Sequence, residues 1–486
     1  MKLSELVDLE PALLLSEAGT VVTGLTADSR QVKPGFVFIA VPGTKANGSQ
    51  FIEDAIAKGA IAVVAPEDAE IPGGLKVPVL MTPEPRRSLA MMAARYYGAQ
   101  PETVVAVTGT SGKTSVAEFT RQIFAACGRQ SASLGTIGVI KPSGAVYGSL
   151  TTPDPVTLHA TVAELAREGV THLAMEASSH GLDQFRLDGV KLSAAAFTNL
   201  GRDHMDYHPT VGHYFEAKMR LFNELLQVGQ PVVINTDGQD SGDVIVTARA
   251  RGLKVLTVGT KGETIRLDRV DREGFAQRLT LMCDGREHSV LLPLVGTYQV
   301  ENALVAAGLA IAVGEKPEQA IQSIAKLSGV KGRLEIIGQK NGGLGVVDYA
   351  HKPEALIAAL DACRPFVSGK LICVFGCGGD RDRGKRPIMG GIAVEKADVV
   401  IVTDDNPRTE NAASVRAEIL ANAKGAKEIG DRAQAIQEAV RMMGPGDVVL
   451  VAGKGHETGQ IVGTTVLPFS DHEVLRTAMG QEAGQS

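Results

Sequence analysis

The run Val104-Val105-Ala106-Val107 passes directly into Thr108-Gly109-Thr110-Ser111-Gly112-Lys113-Thr114, and Val116, Phe119 and Ile123 then recur at helical spacing. A short, wholly apolar run bounded by turn residues reads as a strand buried on both faces. Strand, glycine-rich turn and helix in succession make one unit of a parallel sheet, because parallel neighbours need a crossover. The pattern repeats. Strands are predicted at His172 to Met175, Ala194 to Phe197, Pro231 to Ile234 and Val255 to Val258. A second series begins near Lys331, with strands at Gly345 to Val347, Leu371 to Phe375, Asp398 to Val402 and Val448 to Val451. A smaller series comes first: a strand at Gly35 to Val41, a helix from Phe51 to Gly59, a strand at Ile61 to Val64 and a helix from Ser88 to Gly98. The expected fold class is α/β in three domains. These are a small N-terminal α/β domain (1–99), a central domain with a mainly parallel sheet (100–330) and a C-terminal Rossmann-like domain (331–486).

Composition narrows the classes of function. With 49 basic and 55 acidic residues in 486, the formal charge is −6, which leaves no broad basic footprint for nucleic acid. Trp is absent and aromatics make up 4%, so aromatic ligand cages are not expected. The five cysteines are an odd number and contain no CxxC pair, which argues against a disulfide framework and fits a reducing cytoplasm. No stretch approaches the length of a membrane span, and the first residues lack the pattern of a secretion signal.

The chemistry starts at Gly109-Thr110-Ser111-Gly112-Lys113-Thr114. A loop of this type between strand and helix turns backbone N–H groups towards phosphate oxygens, and the helix terminus adds partial positive charge. Lys113 suits the β/γ-phosphates and the Thr114 hydroxyl suits Mg²⁺. The match is the shorter GxxGKT, since Val107 occupies the first glycine position of the longer motif. Glu176 follows a predicted strand, where a metal-binding acid is expected. Asp203, His204, Asp206 and His208 crowd the next loop and suit either metal or phosphate; a solvated polar loop is the bland alternative. Helical spacing puts Lys218 on one face with Tyr214, Leu221 and Phe222, where it must snorkel, pair or change its chemistry. In the C-terminal series every strand ends in a polar or glycine-rich cluster, namely Asp348 to His351, Gly376 to Arg386, Thr403 to Arg408 and Gly453 to Glu457. Ligands of open α/β sheets bind at the carboxyl ends of strands, so these clusters predict one site at one sheet edge.

Taken in order, GTSGKT, EASSHGL, FTNLGRDHMDYH, HYFEAK, TYQVENALVA, GRLE, DYAHKP, FGCGGDRDRGKRP, DNPR and GKGHE resemble the motif set of the Mur ligases, ATP-dependent amide-forming enzymes of peptidoglycan precursor synthesis. The resemblance is nearest to the branch that adds the third peptide residue, and it is weaker in the N-terminal domain. It implies an ADP-producing ligase that joins meso-2,6-diaminopimelate to UDP-N-acetylmuramoyl-L-Ala-D-Glu through an acyl phosphate and a tetrahedral intermediate. It implies that Lys113, Lys218, His204 and Glu176 are catalytic and that Lys218 is carbamylated. Thr114 and Glu176 would hold one Mg²⁺, and His204 with the Lys218 carbamate a second. Gly109, Thr110, Ser111, Gly112, Lys113, Thr114, Ser115, Asn302, Arg333 and Asp348 would bind ATP. Ser29, Thr44, Lys45, Ala46, Thr151, Thr152, Ser178, Gln184 and Arg186 would bind the UDP-muramoyl dipeptide. Arg386, Asp405, Asn406, Pro407, Arg408, Gly453 and Glu457 would bind diaminopimelate.

The physical reason for diaminopimelate is charge counting. Its non-reacting end is a zwitterion, which calls for a guanidinium fork from Arg408 or Arg386 and acids from Asp405 or Glu457. The expected protein is a cytoplasmic monomer with no nucleic-acid partner and no membrane insertion. The alternatives are an L-lysine-adding ligase of the same family, a folylpolyglutamate synthetase-like ligase and, from another class, a P-loop regulatory ATPase. Residues 1–99 argue against the synthetase, which typically lacks such a first domain.

Overall fold

The computed structural model describes residues 1–6, 19–43, 47–146, 150–201, 203–238 and 240–480. Two compact units emerge, Met1–Leu256 with Leu309–Glu315, and Thr257–Gly308 with Lys316–Ser486. This partition is coarser than the three domains expected from the sequence.

The first unit opens with a four-stranded parallel sheet of Gly24–Thr26, Phe36–Ile39, Ala60–Pro66 and Val79–Thr82. Its alternate side chains fill two cores. Val37, Ile39, Val64 and Leu80 pack with Leu89 and Met92 of helix Pro85–Tyr97 on one face. Phe38 and Val63 pack with Ile52 and Ala55 on the other. The helix starts ahead of Ser88 because Glu84 caps the Arg86 N–H and Pro85 has its φ preset; it stops at Gly98, in the left-handed region at φ 69°.

The second sheet of this unit runs Pro231–Asn235, Ala194–Phe197, Thr103–Thr108, His172–Glu176, Ser131–Gly135, Gly138–Lys141, Gly144–Val146. Its first five strands are parallel and its last two antiparallel. The register Val107↔Glu176 and Thr108↔Phe197 puts the phosphate-loop motif, Glu176 and the Thr198 loop at one sheet edge.

The second unit contains the antiparallel strands Ile265–Glu273, Ala276–Cys283 and Arg286–Leu292. It also holds a six-stranded sheet ordered Glu335–Lys340, Gly343–Asp348, Val448–Ala452, Leu371–Phe375, Val399–Val402, Lys427–Glu428. All neighbours in that sheet are parallel except the first pair. Helices Pro353–Cys363, Lys385–Lys396 and Ala412–Leu420 cover one face, and Arg432–Arg441 and Asp471–Ala478 the other. Val448–Ala452, last in sequence, inserts between Gly343–Asp348 and Leu371–Phe375. The crossovers therefore diverge there and leave a crevice at the strand ends. All five cysteines are free thiols. Among the described residues no helix is long and apolar enough to cross a membrane.

Candidate active site

The phosphate-loop motif leaves strand Thr103–Thr108 and enters helix Lys113–Ala126. Gly109 (φ 146°) and Gly112 (φ 86°) use backbone that side-chain-bearing residues rarely adopt. A Cβ on Gly109 would lie 1.9 Å from Thr198 Oγ1. Lys113 Nζ curls back to donate to the carbonyls of Gly109 (2.8 Å) and Thr110 (2.9 Å). Thr114 and Ser115 are buried in the first helical turn.

The loop is braced by residues to which the sequence reading gave no role. Asn199 Oδ1 accepts from Ser111 N at 3.0 Å, the Asn199 carbonyl from Thr110 N at 2.9 Å, and Thr198 Oγ1 donates to the Ser111 carbonyl at 2.7 Å. The available signal was position: Thr198 and Asn199 directly follow the strand beside the phosphate loop.

Glu176 is buried, and its carboxylate accepts from Thr136 N (2.7 Å) and Thr136 Oγ1 (3.3 Å). A Cβ on Gly135 would come 2.1 Å from Glu176 Oε1. Lys218 does not snorkel. It is 1% exposed, lies over the Tyr214 ring at 4.1 Å and donates to the Gly109 carbonyl at 2.8 Å. Burial, reinforced by the positive charge of Lys113, holds its pKa well below the usual lysine value, with Asp203 opposing. Tyr214 Oη bonds Thr110 Oγ1 at 3.1 Å, so the Lys218 helix Val211–Arg220 also steadies the phosphate loop. His204 has φ 56°, sits 3.6 Å from Asp203 and meets the His180 ring edge-on at 4.8 Å. Among the described residues, no three His, Cys, Asp or Glu side chains form a ready metal cluster.

A second network joins most of the residues assigned to the UDP-muramoyl dipeptide. Thr152 Oγ1 donates to the Glu176 carbonyl (3.0 Å) and accepts from Ser178 Oγ (3.0 Å). Arg186 donates to the Thr152 carbonyl (2.6 Å) and to Gln184 Oε1 (2.7 Å), and Gln184 Nε2 to Tyr207 Oη (3.1 Å). Thr151 Oγ1 lies 3.0 Å from Thr136 Oγ1. Ser29 is buried in the N-terminal sheet domain, where its carbonyl accepts from Lys58. Thr44, Lys45 and Ala46 lie outside the described residues.

In the second unit, Asn302 donates to Gln299 at 3.1 Å. Asp348 is buried and accepts from Leu334 N at 2.7 Å. Burial raises its carboxyl to about 6 against the opposing charge of Arg333. The Arg333 guanidinium lies 5.1 Å from the centre of the Tyr349 ring.

The strand-end clusters of the six-stranded sheet line an open-mouthed cavity of about 800 Å³. Asp405, Asn406, Arg408, Gly453 and Glu457 line it. Tyr349, Arg381 and Lys385, which the sequence reading did not single out, line it too. Lys454 is fully buried and donates to Asn406 Oδ1 and Glu457 Oε2, both at 2.9 Å. Burial pushes the Glu457 carboxyl up, but Lys454, with Asn406 and His456, offsets it and the net value is lowered. Burial raises the Asp405 carboxyl despite Arg432 and Lys454. Pro407 presses its carbonyl where a Cβ on Gly379 would stand, at 1.9 Å.

Arg386 is placed differently from the open fork expected of it. Its guanidinium is buried and bonded to Glu410 (2.8 and 2.9 Å), Glu418 (2.8 Å) and the Gly378 carbonyl (3.2 Å); only its Nε lacks a partner. The sequence could not show that Glu410 and Glu418 fold back onto it. Arg408 is thus the arginine of the pair that lines the cavity.

Comparison with known proteins gives the same picture. The model for the Mur ligase family, catalytic domain, matches residues 21–97, that for the Mur ligase middle domain matches 107–310, and that for the Mur ligase, glutamate ligase domain, matches 332–455. The chain is 57% identical over 483 residues to the UDP-N-acetylmuramoyl-L-alanyl-D-glutamate--2,6-diaminopimelate ligase of Bradyrhizobium diazoefficiens, covering 99% of each chain. To the same-named protein of Agrobacterium fabrum it is 58% identical over 474 residues, covering 97% of this chain and 96% of that one. A solved structure of a ligase of that name superposes with a TM-score of 0.74 at 32% identity, covering 99% of both chains. Motifs, fold and near-full-length relatives agree, and the chain belongs to the Mur ligase family.

Proposed function

We propose that the chain is an ATP-dependent acid–amino-acid ligase that adds meso-2,6-diaminopimelate to UDP-N-acetylmuramoyl-L-Ala-D-Glu. The observation that carries the reading is the cavity lined by Asp405, Asn406, Arg408 and Glu457, together with near-full-length relatives whose name states that substrate pair. Arg408 offers a guanidinium to the distal carboxylate, and Asp405 and Glu457 offer acids to the distal ammonium. L-Lysine would leave Arg408 without its anion, and an unpaired polar group in a closed site is a strong means of rejection.

In the reaction, a D-Glu carboxylate oxygen attacks the γ-phosphorus of ATP, releasing ADP and leaving an acyl phosphate. The amine attacks the acyl carbon to form a tetrahedral intermediate, which expels phosphate as the amine loses a proton. Lys113 and the loop N–H groups hold the triphosphate, and most of the rate comes from positioning and charge neutralisation. Thr152, Ser178, Gln184 and Arg186, joined by hydrogen bonds beside Glu176, are assigned to the UDP-muramoyl dipeptide together with Thr151, Ser29, Thr44, Lys45 and Ala46. Asn302, Arg333 and Asp348 are assigned to the nucleotide by the family resemblance.

Thr114 and Glu176 would hold one Mg²⁺, and His204 with carbamylated Lys218 a second. The donor set fits because it is mainly oxygen: a hydroxyl, a carboxylate and a carbamate supply the hard ligands Mg²⁺ takes, with the His204 imidazole as a borderline nitrogen donor beside them. Bound there, Mg²⁺ supplies neutralisation of phosphate charge. Lys218 suits carbamylation because burial shifts its pKa downward and so favours the neutral amine, which adds CO₂ and releases one proton. The five free thiols fit the reducing, cytoplasmic setting proposed for the chain. The test is ADP release with UDP-N-acetylmuramoyl-L-Ala-D-Glu and meso-diaminopimelate, each omitted in turn. ADP formation that needs both supports the ligase; ADP formation indifferent to either overturns it in favour of a regulatory ATPase.

A further inference from the structure

The hairpin of Gly459–Val462 and Thr465–Pro468 has no part in the assignments above. It forms a two-stranded sheet of its own, and an isolated hairpin is marginal in water. It is tied instead to the loop Asp405-Asn406-Pro407-Arg408. Gln460 Nε2 donates to the Asp405 carbonyl at 2.7 Å, and Ile461 N to Asn406 Oδ1 at 2.9 Å. Arg408 N donates to the Ile461 carbonyl at 3.0 Å, Gly463 N donates to the Arg408 carbonyl at 2.7 Å, and Arg408 pairs with Val462 as a parallel bridge.

Arg408 needs this support. Its φ of 51° lies in the left-handed region, which strains a non-glycine residue and persists only when the surroundings enforce it. The enforced backbone aims the guanidinium at the cavity wall, where Nη1 donates to the Gly379 carbonyl at 2.8 Å. A Cβ on Gly378 would stand 2.7 Å from that Nη1, so this course for the side chain depends on the glycine. The hairpin also fixes Asn406. With Oδ1 taken by Ile461 N and Lys454 Nζ, the amide turns Nδ2 to Glu457 Oε2 at 2.9 Å. Two of the groups that face the cavity are therefore oriented from outside it.

We infer that the hairpin is the template for the amino-acid pocket, and that Gln460 is a positioning residue for amino-acid selectivity. The inference rests on the proposed function, in that the cavity takes the amino acid. Gln460 is half-buried and acts through the Asp405 carbonyl, not on the ligand. Without its N–H the carbonyl loses its donor, the hairpin loses its only side-chain tie to that carbonyl, and Arg408 is freer to leave the left-handed region.

The experiment compares Gln460→Ala and Gln460→Glu with the wild type. The glutamate keeps the shape, but its carboxylate has no hydrogen to donate. KM and kcat are measured for meso-diaminopimelate, L-lysine and ATP by ADP release with the UDP-muramoyl dipeptide present, alongside the melting temperature. The expected result in both variants is a roughly tenfold rise in the meso-diaminopimelate KM, equivalent to about 1.4 kcal/mol. The preference over L-lysine should fall in parallel, while the ATP KM stays within about twofold, which a merely structural defect would not produce. Unchanged preference in both variants of a selective wild type overturns the role of Gln460 alone. A wild type that releases no ADP in response to either amino acid overturns the pocket assignment and this inference with it.

Discussion

A lysine with 1% of its surface exposed cannot keep its ammonium hydrated, and Lys218 has the Gly109 carbonyl and the Tyr214 ring in place of water. Its pKa falls well below normal through burial first and Lys113 second. Lys218→Ala is therefore expected to lower kcat by about 10²-fold or more, on the scale of losing one preorganised charge-stabilising group. A short carboxylic acid in the buffer should restore part of it by standing where the carbamate would. Full activity in the unsupplemented variant would sink this assignment. Asp348 offers a test with a sign. Its folded value of about 6 is above the ordinary 3.8, so the native state binds more protons than the unfolded chain between those pH values. Stability from this group therefore falls as pH rises through that window, by about 3 kcal/mol in all. Asp348→Asn removes the titration, so the variant should gain stability relative to wild type between about pH 4 and pH 6.5 and gain no more above it. Melting-temperature differences across that range check the prediction, and a constant difference contradicts it. At this scale the sequence was informative where one residue carries unusual chemistry. Helical spacing put Lys218 on an apolar face, while its carbamylation was implied only by the family resemblance. The placement of Arg386 was not legible, because Glu410 and Glu418 reach it from a different element.

Elements hold these residues in place. The phosphate loop depends on the Thr198–Gly201 segment, since Asn199 satisfies both Thr110 N and Ser111 N. Asn199→Ala removes two neutral side-chain hydrogen bonds to Ser111, at 3.0 and 3.4 Å, the shorter worth about 0.5–1.5 kcal/mol, and should raise the ATP KM by about 3- to 10-fold with the dipeptide KM unmoved. Equal changes in both would mean that the loop is not the part affected. In the second unit, helices Arg432–Arg441 and Asp471–Ala478 meet at a fully buried ion pair, with Arg432 bonded twice to Asp471 at 2.7 Å. Arg432 also donates to the carbonyls of Asp404 (3.4 Å) and Ala452 (3.0 Å), at the feet of two pocket loops. Asp471→Ala strands a buried charge and should destabilise the second unit by about 3–5 kcal/mol, measurable in denaturant. A loss under about 1 kcal/mol would show that the pair adds little.

The buried parallel strands were readable because both faces are apolar; Ala194–Phe197 and Leu371–Phe375 match the sequence reading end to end. Strand Ile265–Glu273 was not readable. Most of its residues are charged and face solvent, so it shows neither an apolar run nor a clean alternation. The hairpin Gly459–Val462 and Thr465–Pro468 escaped for a related reason: its partner is a loop, and hydrogen bonds to a loop leave no periodic trace in sequence.

At the scale of the molecule, the family and α/β class were legible because each carboxyl-terminal strand end carries its own cluster of chemistry-bearing residues. The topology explains why clusters far apart in sequence serve one cavity: Val448–Ala452 inserts beside Gly343–Asp348 and brings Gly453 and Glu457 to the loop of Asp405 and Arg408. The account's central claim is that this cavity chooses an amino acid by its zwitterionic far end. The most direct test is the wild-type enzyme's kcat/KM for meso-diaminopimelate and for L-lysine, measured side by side with saturating ATP and UDP-N-acetylmuramoyl-L-Ala-D-Glu. The account predicts a preference for meso-diaminopimelate of about 10²-fold or more, as expected when the rejected analogue leaves the half-buried Arg408 guanidinium without a carboxylate partner. Equal use of the two amino acids, or a preference for L-lysine, would contradict it.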